Sequence, residues 1–141
     1  MAVGASGCAE ACEWTWRVRT AAARLIERSG ASSAMVADEG GLAVRFDNNE
    51  EPMAIVTEAI ERAGFEPGVD VGIAIDVAAT QLWRGSDYEL ASEGRSVSSA
   101  GMIELLASWV DAYPLLPSED PLAEDDWEGG KAVTDERGGG V

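Results

Sequence analysis

Apolar positions recur at helical spacing over residues 7–29, with Arg28 in the last turn and Gly30 at the site of a C-terminal stop. A short apolar segment, 34–37, then runs into Asp38-Glu39-Gly40-Gly41. A second helix starts where Asn48 or Asn49 can cap it, with Glu50, Glu51 and Pro52 in the first turn. Val56, Ala59, Ile60 and Ala63 form its expected buried stripe, and Gly64 ends it. Residues 71–77 are apolar on both faces until Asp76, as in a strand covered on both sides. Residues 82–96 read as loop, with a weak strand near Tyr88-Glu89-Leu90. Ser98 or Ser99 opens a third helix, in which Met102, Leu105, Leu106, Trp109 and Val110 keep the helical period. After Pro114, a brief strand at 115–118 ends in Glu119-Asp120. A last helix is expected over 124–137, weakened by Gly129-Gly130, and the Gly138-Gly139-Gly140 tail is expected to fray. Helix and strand alternate, which is the signature of a parallel α/β architecture.

Charge and composition narrow the chemistry. The chain has 141 residues, one domain's worth, and 46% of them are hydrophobic. Its 26 acidic and 10 basic residues give a net charge of −16, which excludes a basic nucleic-acid footprint and attraction to anionic lipid. With no histidine, any chemistry must run on carboxylates, lysine, thiols, hydroxyls or a hard cation, and the single lysine is Lys131. Cys8 and Cys12 share one helix face, and two thiols do not complete a zinc site, so they are expected to be buried small hydrophobes. Trp14, Trp16 and Trp109 are expected to pack, and Ser98-Ser99 to cap. No long apolar stretch or signal-like start is present, which sets the expectation of a cytoplasmic protein.

Three acidic groups fall at the C-terminal ends of apolar strands: Asp38-Glu39, Asp76 and Glu119-Asp120. In parallel α/β folds those ends converge on one face, where ligands bind. Clustered carboxylates repel, and a shared hard cation such as Mg2+ relieves the repulsion. Each acid also has a plain reading as a turn or helix-start residue. The acids from Glu124 to Glu128 are expected to be mostly a solvated helix start.

The segments MVADEGG, VGIAIDVAAT and VSSAGMIELLASWVDAYPLLPSEDPLAEDDWEGG resemble the enolase family, phosphopyruvate hydratases of glycolysis. The opening VGASGCAEACEWTWRV is similar to a helix of the same family, so the resemblance runs through nearly the whole chain in one register. It implies a partial TIM-type (β/α) barrel, with residues 1–141 a single fragment of the C-terminal barrel domain. It also implies a Mg2+-dependent, reversible dehydration of 2-phosphoglycerate to phosphoenolpyruvate, a carbon–oxygen lyase reaction. Residue by residue, Glu39 matches the acid that assists hydroxide departure. Asp76 and Glu119 match two of three carboxylates that hold the metal, and Glu119 thereby also lies against the substrate. The third metal Asp, the Lys base and the groups that grip phosphate would fall beyond Val141. The family's N-terminal domain and earlier barrel residues would precede this chain. Local departures are Ala37 for Gly before DEGG, Leu42 and Val44 for Phe and Pro after it, and Pro117-Ser118 for Ser-Ile before Glu119. The expected partner is therefore the small-molecule substrate, with no nucleic acid and no membrane. A homo-oligomer or a complementing chain would cover the open edges of a part-barrel. Two other functions stand beside catalysis: an assembly remnant, and an acidic metal-binding module without turnover.

Overall fold

The computed structural model of the chain describes residues 1–38, 40–116, 119–127 and 129–131. The chain divides into two compact units, Met1–Ile73 and Ala74–Val141.

The first unit is built on two helices, α1 (Cys8–Arg28) and α2 (Glu51–Arg62), which pack on each other. Their facing stripes supply the core: Val18, Ala22 and Ile26 from α1, and Met53, Ala59 and Ile60 from α2, joined by Val71 and Ile73. Asn48 does cap α2, its side-chain oxygen accepting from the backbone N–H groups of Glu50 (3.0 Å) and Glu51 (2.8 Å). Both helices stop in the same way. Gly64 N–H donates to Glu61 O and Phe65 N–H to Ile60 O, a pair of bonds that requires the left-handed φ of 86° that glycine adopts freely. The equivalent bonds at Gly30 and Ala31 close α1. Arg17 of α1 reaches across to the end of α2, where it donates to Ala63 O (2.5 Å) and stacks over the Phe65 ring, 4.4 Å from its centroid. Trp14 lies against the other side of that junction, 4.7 Å from Phe65.

Three expectations for α1 fail here. Cys8 and Cys12 are free and exposed, and Trp16 is 64% exposed. The buried stripe occupies only the second half of the helix, beginning at Val18, so residues on the first turns meet solvent.

The second unit holds a hairpin and a helix. Strands β1 (Tyr88–Leu90) and β2 (Arg95–Val97) pair antiparallel, with Tyr88 opposite Val97 and Leu90 opposite Arg95. The connection is a 3-10 turn at Ala91–Glu93. Helix α3 (Ser99–Ala112) follows at once, and the Ser98 hydroxyl accepts from Gly101 N–H as its cap. Ala79, Tyr88, Met102 and Ala123 form the core, with Val77, Leu82, Leu105, Leu106 and Leu122 packed around them. Trp109 is buried as its spacing predicts, while Val110 is 41% exposed and lies off the stripe.

The alternation of helix and strand is thus mixed α and β, but the parallel sheet of the expected part-barrel is reduced to isolated bridges. Among the described residues the sheet is the two-stranded antiparallel hairpin. Segment 34–37 folds back on itself: Val36 pairs antiparallel with Leu42 around a turn in which Ala37 and Gly41 are hydrogen-bonded. In segment 71–77, Gly72 exchanges hydrogen bonds with Met1 at the chain start. Further on, Asp76 pairs in parallel with Glu119 for one rung. The ladder stops there because both backbones turn away. Ala78 (φ 47°) and Asp120 (φ 45°) are left-handed, a conformation costing about 1 kcal/mol for a residue with a Cβ and tolerated best by Asp and Asn. Of the expected last helix, residues 127 and 129–131 are helical, and the remainder lies outside the described residues.

The two-helix core predicts an asymmetric response to truncation. Ile60→Ala, at a position with no solvent exposure, is expected to destabilise by about 2–5 kcal/mol in urea unfolding, whereas Val110→Ala should stay within about 0.5 kcal/mol.

Candidate metal and active site

Asp76 and Glu119 come from segments far apart in sequence, yet they face each other across a parallel bridge. The pairing is carried by three backbone bonds. Glu119 N–H donates to Ile75 O (2.9 Å), Val77 N–H to Glu119 O (3.1 Å), and Ala79 N–H to Asp120 O (3.2 Å). Directly paired residues of a ladder project their side chains to the same face. Both carboxylates are exposed, and among the described residues neither is ion-paired. Asp76 Oδ1 accepts from Ala78 N–H at 3.0 Å, which orients the carboxylate over the left-handed turn.

Two carboxylates on one exposed face can share a cation. Two carboxylates suit Mg2+, which retains several waters and takes its remaining ligands from substrate. Among the described residues no group of three or more acids, Cys or His forms a fuller cage. Asp120 sits next to the pair, exposed, and contributes its carbonyl to the ladder. Glu39 lies outside the described residues. Its neighbours Asp38 and Gly40 occupy the tip of the turn between Val36 and Leu42, in the first unit, where Arg19 donates to Gly40 O (2.9 Å).

The segment that carries Glu119 is anchored by a buried polar network that the charge pattern conceals. Asp126, expected among solvated helix-start acids, is only 8% exposed. Its carboxylate accepts from the Tyr88 hydroxyl (2.7 Å), the Ser99 hydroxyl (2.5 Å) and Gly129 N–H (3.0 Å). Tyr88, with no solvent exposure, also accepts from Ala123 N–H at 2.9 Å. The burial of Asp126 is stabilised by this satisfaction: desolvation pushes its carboxyl up, and the donors Ser99, Tyr88 and Gly129 more than reverse that, leaving it below the ordinary range. Desolvation pushes the Tyr88 phenol from 10.0 up to about 12, with the Ala123 N–H opposing and Asp126 reinforcing the shift. Gly129 is required by space, because a Cβ there would stand 2.6 Å from Asp126 Oδ2. The sequence signal for this network is faint: a Tyr in the weak strand and the second acid of a DD pair.

A cleft of about 780 Å3 opens beside Asp126, lined by Trp83, Ile103, Glu104, Asp125 and Trp127 among others, and neither Asp76 nor Glu119 borders it. Both carboxylates lie on the exposed surface of the second unit. Among the described residues no helix is long and apolar enough to cross a membrane. The family model described as enolase, C-terminal TIM barrel domain, matches residues 1–141, the full length of the chain.

The network contributes to the pH dependence of stability. Tyr88 has a raised folded pKa, so its contribution is complete below pH 10 and is lost as pH rises through about 12. Asp126 has a depressed one, so its contribution holds above the ordinary carboxylate range and is lost as pH falls through the folded value. Tyr88→Phe should cost about 1–3 kcal/mol at neutral pH and flatten the alkaline limb in denaturation measured from pH 9 to 12.

Proposed function

Because the chain belongs to the enolase family through its C-terminal TIM barrel domain, we propose that it serves the family's lyase chemistry, with Asp76 and Glu119 as two carboxylate ligands of Mg2+. The parallel bridge between these two residues, 43 positions apart in the numbering, is the observation that supports the reading. The reaction proposed is the reversible loss of water from 2-phosphoglycerate. A proton leaves the carbon next to the carboxylate, hydroxide leaves the neighbouring carbon, and phosphoenolpyruvate results.

Each residue has a distinct task. Asp76 and Glu119 bind, and their shared face fixes where the substrate's carboxylate would approach. When bound, Mg2+ supplies positive charge against the enediolate that forms as the proton leaves. Glu39 would hold a proton at its carboxyl and pass it to the departing hydroxide, a role that rests on the DEGG resemblance. Proton abstraction needs a base, and here the chain offers little. It has no histidine, and its one lysine, Lys131, is exposed. That observation favours a second reading, in which the chain binds a divalent cation without turning over substrate by itself.

Two measurements separate these readings. Asp76→Asn and Glu119→Gln should each weaken Mg2+ binding by at least about tenfold in calorimetry, while Glu39→Gln leaves it unchanged. If neither carboxylate variant alters affinity, the pair is no metal site. The 141-residue chain is expected to form phosphoenolpyruvate from 2-phosphoglycerate at no more than background rate, followed by ultraviolet absorbance. Robust turnover would show that a base exists among these residues and defeat the second reading.

A further inference from the structure

We propose that Tyr88 is a positioning residue for the divalent-cation pair, clamping the far end of segment 119–126 so that Glu119 stays in register with Asp76. The inference rests on the metal reading given above, and it concerns a residue that touches neither metal nor substrate.

Segment 119–126 is tied at both ends. At its start, the Glu119 and Asp120 backbones bond to Ile75, Val77 and Ala79. At its end, Ala123 N–H donates to the Tyr88 hydroxyl, Glu124 N–H to Thr80 Oγ1 (3.2 Å), and Asp126 receives Tyr88 and Ser99. Between these ties the chain passes through the left-handed Asp120, directly after the proposed ligand, and faces the left-handed Ala78, two residues after the other. Sparsely populated backbone geometry of this kind persists only where the surroundings over-determine it. The second anchorage adds to the constraint that the three backbone bonds at Glu119 and Asp120 impose.

Tyr88 is suited to that anchorage in three ways. It is held on several sides, being fully buried, paired with Val97 in the hairpin, and packed against Trp83 in a tilted arrangement at 4.8 Å between centroids. Its oxygen works in both directions, accepting from the Ala123 backbone and donating to Asp126. Through Asp126 and Ser99 it couples the segment to the first residue of α3. Phenylalanine would fill the same volume and lose both bonds, so the hydroxyl can be tested apart from the ring.

The test uses the whole 141-residue chain with Mn2+ as probe, free Mn2+ being read by electron paramagnetic resonance. Tyr88→Phe is expected to weaken Mn2+ binding about tenfold, the loss typical of removing a group that orients a ligand. Amide exchange at Glu119 and Ala123 should accelerate in parallel. Ile60→Val, a mild core change in the other unit, controls for general destabilisation and should leave affinity within about twofold. Asp126→Asn offers a second route should Tyr88→Phe fail to fold, with a loss in the same direction. Should folded Tyr88→Phe or Asp126→Asn bind Mn2+ like the parent while Asp76→Asn has lost it, the positioning role is overturned and the metal reading survives. Parent-like binding by Asp76→Asn and Glu119→Gln overturns both.

Discussion

The oxygen of Tyr88 satisfies two opposite demands at once. It donates a hydrogen bond to a buried carboxylate and accepts one from a backbone amide. Remove it and Asp126 and the Ala123 amide each lose a partner in a place where an unsatisfied group is expensive. The second unit is organised around this oxygen. The hairpin presents it, α3 joins through Ser99, and the return of the chain past Glu119 ends on it. The first unit uses a different solution, a cation over an aromatic ring at a helix end, where Arg17 serves both Phe65 and Ala63.

Against that frame the surface pair at Asp76 and Glu119 is the opposite kind of polar arrangement. Asp126 is buried and fully satisfied, whereas the pair is exposed and two like charges share a face. Burial with donors makes a structural carboxylate, and exposure without a counter-charge leaves a carboxylate free to take a ligand. Within eight residues the same chemical group is thus found in two different settings, one buried among donors and one open to solvent.

Much of the local structure was legible from residue order. Caps at Asn48 and Ser98, stops at Gly30 and Gly64, and the apolar period of α3 through Trp109 are all short-range signals, and all appear where expected. The apposition of Asp76 and Glu119 was also legible, through their places after apolar runs. What residue order concealed depends on long-range partners. An apolar run cannot say whether it will pair for five residues or one, and left-handed turns at Ala78 and Asp120 carry no sequence mark when neither residue is glycine. The β2 strand reads as loop because its side chains are mostly polar and face solvent. Asp126 looks like its solvated neighbours until Tyr88, 38 residues earlier, is brought against it.

The spans of these contacts carry a consequence for the order of assembly. Hairpin and α3 lie next to each other in the chain, so they close cheaply. The bonds that fasten the returning segment reach back 27, 35, 38 and 44 residues, and the entropy of closing such loops delays them. A sub-global fluctuation that released these bonds would dissolve the acidic pair with them.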